Sequence, residues 1–146
     1  MSIMRVVVDA NTILSGLFFR GNERNLLLAA LEGRVSLVFA EDVVDEVYDV
    51  VADSFREHPD LPNALDLLQL VFRTGELVSR ATYEGLVSHW AQRLRDPTDA
   101  PVVACAVQAK AEGLVSGDRD LVDLRGVGGI CVYRTRELLE HLARED

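Results

Sequence analysis

The chain has 146 residues, a length typical of one domain with a sizeable buried core. Hydrophobic residues make up 49% of it and charged residues 27%, and no stretch of about 18 residues is free of charge, so we expect no membrane-spanning helix. The first residues lack the basic start and long apolar middle of a secretory signal. We therefore expect a cytoplasmic protein that forms a single domain over residues 1–146.

The formal net charge of −9 argues against tight, non-specific binding of nucleic acids, whose phosphates require a basic surface. The 15 basic residues comprise Lys110 and 14 arginines. The negative charge does not exclude a nuclease, because divalent cations reverse the local charge of an acidic site. Arginine is also better suited than lysine to bidentate contacts with phosphate.

Cysteines and histidines give no sign of a zinc site. Cys105 and Cys131 lie in apolar stretches without CxxC spacing, and the three histidines are scattered along the chain. We expect both cysteines to be small core residues in a reducing compartment. Any bound metal is therefore expected to be a hard cation with oxygen ligands.

Short apolar segments alternate with longer segments of helical periodicity throughout the chain. The predicted strands are residues 4–8, 35–39, 76–78, 113–116 and 129–133. The predicted helices are residues 22–33, 41–56, 63–73, 82–95, 98–112 and 135–144, with a break at 58–62. This alternation predicts an α/β fold, in which helices cover both faces of a mostly parallel sheet of about five strands.

Two aspartates stand at the carboxyl ends of predicted strands. Asp9 comes after the apolar run of residues 6–8, and Asp118 stands just beyond the strand at 113–116. Either aspartate alone could simply cap a turn. Ligands of parallel sheets bind outside the carboxyl ends of the strands, so the two together favour a shared site at one edge.

Three further acids are candidates for the same crevice. Asp96 and Asp99 flank Pro97-Thr98 at a predicted helix start, where capping is the structural alternative. Asp99 is expected to point towards the strand edge. Glu46 lies at the border of the apolar arc of its helix, so we expect it to be partly buried, the alternative being a surface glutamate.

Four clustered carboxylates would repel one another, and divalent cations relieve that repulsion. Mg²⁺ or Mn²⁺ suits such oxygen sites, and a cation of this kind activates water and polarises a phosphoryl oxygen. The sequence shows no Ser–His or Cys–His arrangement that would compete for the catalytic role.

Four segments of the chain resemble the motifs of the PIN-domain family, in the order of that family. They are residues 7–16, Glu46 in its helix, residues 96–106 and residues 114–121. The resemblance is closest to stand-alone PIN proteins that act as toxins of type II toxin–antitoxin systems. It implies a Rossmann-like three-layer α/β/α fold, Mg²⁺- or Mn²⁺-dependent cleavage of RNA leaving 5′-phosphate and 3′-hydroxyl ends, frequent homodimers and a small antitoxin partner that reaches into the acidic site.

The resemblance also assigns roles to individual residues. The catalytic metal ligands would be Asp9, Glu46, Asp99 and Asp118, with Asp96 and Asp120 as auxiliary acids. Hydrogen bonds to these acids would come from Asn11, Thr12 and Ser116. Our candidates for contacts with the RNA backbone are Arg20, Arg24 and Arg119, whose alternative is an exposed, solubilising role.

Other functional classes fit less well. A receiver-type signalling domain needs an aspartate at the end of its third strand and a lysine at the end of a later strand. Here Ser79 follows residues 76–78, and Lys110 falls inside a predicted helix. A haloacid-dehalogenase-type phosphatase needs Asp-x-Asp at the first strand, where this chain has Asp9-Ala10-Asn11. The main alternative keeps the fold but lacks independent nuclease activity, as in a PIN-like binding or regulatory module.

Overall fold

A computed structural model describes residues 3–124 and 126–145. The strands are β1 (Arg5–Val8), β2 (Ser36–Ala40), β3 (Glu76–Val78), β4 (Gly113–Val115), β5 (Gly126–Val127) and β6 (Ile130–Tyr133). The helices are α1 (Ala10–Phe18), α2 (Asn22–Leu31), α3 (Glu41–Ser54), α4 (Leu61–Thr74), α5 (Arg80–Ala91), α6 (Ala100–Gln108), α7 (Arg119–Leu124) and α8 (Thr135–Glu145), with a short 3-10 helix at Pro97–Asp99.

The strands form one sheet in the order β3-β2-β1-β4-β6-β5. All neighbouring pairs are parallel except β5 and β6, which are antiparallel. Val6, Val7 and Val8 of the central strand β1 have no solvent exposure, as expected for a parallel strand that is covered on both faces. The predicted sheet of five mostly parallel strands is confirmed, with β5 as a short addition at its edge.

Helices pack on the sheet in two groups, which give a three-layer α/β/α arrangement. In one group, α1 contacts α2 and α4, and α2 also contacts α8. In the other, α5 packs against α6, which contacts β1, β2 and β4. The C-terminal helix α8 packs against the core, since Leu138 and Leu142 are buried and Leu139 contacts the buried cluster.

The order of the strands reverses at the centre of the sheet. From β1 the chain builds outward through β2 and β3, and it then returns to place β4 on the other side of β1. Crevices at such a switch point are where open α/β sheets bind ligands. The acidic residues that follow β1 and β4 therefore lie at the most favourable position in this fold for a binding site.

Three elements were not predicted, namely α1, α7 and β5. Helix α1 is covered almost all round, with seven of its nine residues buried. Its sequence therefore does not alternate between an apolar and a polar face, and no helical periodicity is visible. Helix α7 has only six residues, and β5 only two, too few for a pattern to emerge.

The helix predicted over residues 98–112 is shorter in the structure at both ends. Its start is the 3-10 helix, and α6 begins only at Ala100, with Pro101 in the first turn, where its missing N–H does no harm. Its end comes at Gln108, so Lys110 lies beyond the helix, with a positive φ of 54°. The placement of Lys110 inside a helix was therefore wrong.

The two cysteines differ in environment. Cys105 is buried in α6 as predicted, and burial raises the pKa of its thiol to about 12, which leaves it unreactive. Cys131 is exposed, so its predicted core position was wrong. Ile130 and Val132 of β6 are buried, and Cys131 between them points to the opposite, uncovered face of this near-edge strand.

None of the helices in the described part of the chain is both long enough and apolar enough to cross a bilayer.

Candidate metal centre

Asp9 joins the end of β1 to the start of α1. Its backbone N–H donates to the carbonyl of Val115, which fastens the end of β1 to β4. Its carboxylate is the N-cap of α1, because Oδ1 accepts a hydrogen bond of 2.9 Å from the backbone N–H of Thr12. The capping role and a site role thus fall on the same side chain.

Ser116 connects two of the aspartates at the end of β4. Its side chain is fully buried, and its hydroxyl donates to Asp9 Oδ2 at 2.7 Å. The same oxygen of Ser116 accepts a hydrogen bond of 2.9 Å from the backbone N–H of Asp118, whose Oδ1 accepts one of 2.8 Å from the N–H of Asp120. These bonds fix the orientation of Asp9 and the backbone that carries Asp118.

The 3-10 helix delivers Asp96 and Asp99 to the same place. Asp96 caps it, since its Oδ1 accepts from both the N–H and the hydroxyl of Thr98, and these bonds lower the pKa of Asp96 below 3.8. Asp99 ends the 3-10 helix, and its backbone N–H donates to the carbonyl of Asp96. The tight turn explains how two acids three positions apart face one crevice.

Asp96, Asp99 and Asp118 each offer an oxygen within 4.8 Å of the others. Oδ2 of Asp99 is buried and accepts no hydrogen bond within the described residues. The pKa of Asp99 is raised to about 7, first by burial, then by a hydrogen bond with Asp118 and by the charges of Asp118, Asp96 and Asp9. This side chain therefore resists ionisation unless positive charge joins the cluster.

Asp9 and Glu46 line the same cleft, of about 220 Å³, as these three acids. Glu46 is exposed, which differs from the partial burial expected, because on α3 only Val43, Val47 and Val51 are buried. The structure therefore places the four predicted acids and Asp96 in one cleft, with Asp96, Asp99 and Asp118 closest together. Asp120 lies at its border, where it pairs with Arg95 at 3.7 Å.

Asp42 also lines the cleft and was not predicted as a site residue. It is the second residue after β2, whereas Asp9 is the first after β1, and this position near the carboxyl end of a strand is the signal that could have identified it. Its carboxylate accepts from Arg80 at 2.6 Å, and its backbone N–H donates to the hydroxyl of buried Tyr83. Burial raises the pKa of Tyr83 to about 12, so this hydroxyl stays protonated.

The other predicted residues occupy different surroundings. Asn11 lines the cleft and is exposed, whereas Thr12 is buried and reaches Asp9 through its backbone. Arg24 donates to the carbonyls of Gly16 and Leu17 and lines, together with Arg20, a separate depression. Arg119 is exposed next to Asp118.

The donor set fits a divalent cation such as Mg²⁺ or Mn²⁺. It offers carboxylate oxygens, which hard cations prefer. The buried, unpaired oxygen of Asp99 is the strongest structural indication, because a buried acceptor without a partner is costly and a cation would satisfy it. Asp96, Asp99 and Asp118 are the residues placed closely enough to hold such an ion directly.

We expect a Ser116→Ala variant to be less stable by about 1–3 kcal/mol, because it leaves the partly buried N–H of Asp118 without an acceptor and Asp9 Oδ2 without a donor. Urea denaturation measures this change. Ser88→Ala is the matched control, since Ser88 is exposed on α5. Equal stability of the Ser116 variant and the parent would show that the hydroxyl does not organise the two aspartates.

Together, the fold and the cleft define an α/β protein with a carboxylate site at the switch point of its sheet. The chain belongs to the PIN domain family, which matches residues 5–120 and so includes every acidic position described above. PIN domains are generally nucleases, and they typically bind a divalent metal.

Two solved structures share the fold. PAE2754 from Pyrobaculum aerophilum superposes with a TM-score of 0.70 at 18% identity, over 97% of this chain and 90% of that one. The crystal structure of VapBC2 from Rickettsia felis bound to a DNA fragment from their promoter gives a TM-score of 0.61 at 14% identity, over 90% and 98% of the two chains. At these identities the likeness concerns the fold.

A curated relative shows a partial match. The HTH-type transcriptional regulator GbpR of Azospirillum brasilense is 35% identical over 96 residues, which are 65% of this chain and 27% of that protein. The match therefore spans about a quarter of the length of the regulator, and the function of the whole regulator is not transferred to this chain.

Proposed function

We propose that the protein is a Mg²⁺- or Mn²⁺-dependent endoribonuclease. The observation that carries the proposal is the group of three aspartates with carboxylate oxygens within 4.8 Å of one another, one of which has a buried oxygen without a partner among the described residues. Membership of the PIN domain family supports the same reaction class. Cleavage would be hydrolysis of a phosphodiester bond in RNA, leaving 5′-phosphate and 3′-hydroxyl ends.

In this proposal the acidic residues of the cleft act together to bind the cation. Asp99 and Asp118 hold the cation together with Asp96, and Asp9 and Glu46 complete the ring of negative charge around the cleft. When bound, the cation supplies charge neutralisation at the phosphoryl group and lowers the pKa of the attacking water. Ser116 keeps Asp9 oriented through its hydrogen bond, and Arg80 neutralises Asp42 at the wall of the cleft.

We further propose that the protein is the toxin of a toxin–antitoxin pair and acts in the cytoplasm as a homodimer that a small antitoxin inhibits. The fold shared with VapBC2 from Rickettsia felis supports this role. Expression of the chain alone is expected to arrest growth of a host cell, and co-expression of a small protein encoded beside its gene is expected to restore growth.

An RNase assay tests the central proposal. The parent, Asp9→Asn and Asp118→Asn are purified identically and incubated with labelled single-stranded RNA and Mn²⁺, with and without EDTA. We expect cleavage by the parent alone, abolished by EDTA, because each substitution removes a negative charge from the cleft.

Equal cleavage by all three preparations would mean that a contaminating nuclease is responsible. It would contradict the catalytic role assigned to Asp9 and Asp118. An inactive parent that still binds Mn²⁺ would favour the alternative of a PIN-like binding or regulatory module without nuclease activity of its own.

A further inference from the structure

A second groove opens beside the acidic cleft and has the opposite charge. It has a volume of about 490 Å³, and its lining includes Asn11, Asn22, Glu23, Gly117, Arg134 and Arg136. Two arginines against one glutamate give it a positive balance in a chain whose net charge is −9. We call it the arginine groove.

The arginine groove is continuous with the acidic cleft. Asn11 lines both, and Gly117 of the groove directly precedes Asp118 of the cluster. A polymer whose reacting bond lies at the cluster would therefore place its neighbouring unit in the groove. A cleft of roughly 300–1,000 Å³ is of the size that takes a small ligand, so the groove has room for a nucleotide unit.

The arginines of the groove are available to a ligand. Within the described residues, the guanidinium of Arg134 has no partner, whereas its backbone is engaged: its N–H donates to Glu137 at 2.9 Å and its carbonyl accepts from the N–H of Leu138. Arg136 has a loose exposed ion pair of 3.8 Å with Glu140 on the same helix, a kind of pair that contributes little to stability. Both side chains can thus turn to a phosphate at small cost.

Other arginines near the site are less suitable. Arg93 and Arg95 line a groove on the far side of the cluster, but the lining of that groove also holds four aspartates, and Arg95 pairs with one of them, Asp120. The guanidinium of Arg24 is bound to the C-terminal carbonyls of α1, and the depression that it lines has no described residue in common with the acidic cleft.

From these observations we infer that the arginine groove binds the phosphate backbone of single-stranded RNA next to the bond that is cut, with Arg134 and Arg136 as the phosphate contacts. The inference rests on the proposed nuclease function and adds the path of the substrate. Arginine–phosphate contacts position the strand without reading its bases, so the groove contributes affinity for any RNA sequence.

Steady-state cleavage of a labelled single-stranded RNA tests the inference. For Arg134→Gln combined with Arg136→Gln we expect KM to rise about tenfold with kcat within about twofold of the parent, because the two guanidinium groups bind substrate and transition state equally. The dependence of binding on salt should also weaken, by about 0.7 in the logarithmic slope for each phosphate that is no longer neutralised.

Arg144→Gln is the control, since it removes one arginine from α8, the helix that carries Arg136, at an exposed position outside the groove. Thermal melting verifies that each variant is folded, and glutamine retains the backbone bond to Glu137. An unchanged KM in the double variant, or a rise equal to that of Arg144→Gln, would overturn the inference while leaving the nuclease proposal intact. That outcome would leave the arginines available to an acidic protein partner instead.

A parent without cleavage would contradict the proposed function, and fluorescence anisotropy with the same RNA and Mn²⁺ then decides the inference separately. Weaker binding by the double variant than by Arg144→Gln would still support the groove. No binding by the parent would overturn it.

Discussion

An Asp99→Asn variant is expected to lose RNA cleavage by on the order of 10³-fold and yet to be more stable than the parent when metal is absent at pH 8. The loss of cleavage follows from the removal of the buried oxygen that best fits a cation. The gain in stability follows because the amide carries no negative charge beside Asp118 and can donate a hydrogen bond to its carboxylate.

These opposite changes distinguish a functional carboxylate from a structural one. If Asp99 only capped or packed, its replacement would lower stability or leave it unchanged. Melting curves in EDTA and cleavage assays in Mn²⁺ measure the two effects in the same preparations. Asp49→Asn is the matched control, because Asp49 is exposed on α3 and outside the cleft. An Asp99 variant that is less stable than the parent in EDTA at pH 8 would contradict the interpretation that burial and neighbouring negative charges destabilise the ionised Asp99 side chain.

The sequence was sufficient to predict the position of Asp9 and Asp118 because both stand within three residues of the end of an apolar strand. The residues of β1 are buried on both faces, and such runs are visible without any knowledge of tertiary structure. In a parallel sheet the carboxyl ends of the strands share one edge, so residues 109 positions apart could be expected in one crevice. Confirmation of the parallel sheet gives this reasoning its physical basis.

Side-chain detail depended on contacts that the sequence does not encode locally. Asp42, like Asp9, stands close to the end of a strand, yet its carboxylate pairs with Arg80, which lies 38 positions further along the chain. Glu46 was expected to be partly buried from the apolar arc of α3, but the arc that is buried is narrower than the run of valines suggested. Helical periodicity gives the direction of a side chain more reliably than its exposure.

The sequence also could not show whether Asp9 and Asp96 cap a helix or belong to the acidic site, because in the structure each of them does both. Asp9 caps α1 through Oδ1 while Oδ2 faces Ser116, and Asp96 caps the 3-10 helix while lying in the cluster. Turn chemistry and metal-ligand chemistry both favour aspartate, since each requires a short side chain with two acceptors. A capping pattern therefore did not argue against a site.

The metal-free protein is expected to lose stability as the pH rises from about 4 to 7, and added Mn²⁺ or Mg²⁺ is expected to restore it. The pKa of Asp99 is raised from 3.8 to about 7 in the folded state, so between these values the folded chain binds a proton that the unfolded chain has released. Stability from this group is fully present below pH 4 and is lost as the pH rises through 7. Allowing for solvent at the open cleft, we expect a loss of about 2 kcal/mol, or roughly 6 °C in melting temperature.

A cation competes with this proton, so its stabilising effect should grow with pH. At pH 5.5 the ion must displace the proton from Asp99, whereas at pH 8 it meets a carboxylate that is already ionised and repelled by its neighbours. Melting temperatures with EDTA and with Mn²⁺ at both pH values, for the parent and for Asp99→Asn, separate this group from other titrating residues. If the shift caused by Mn²⁺ is the same at both pH values in the parent, the ion does not bind at the Asp99 carboxylate, because binding there must release the proton.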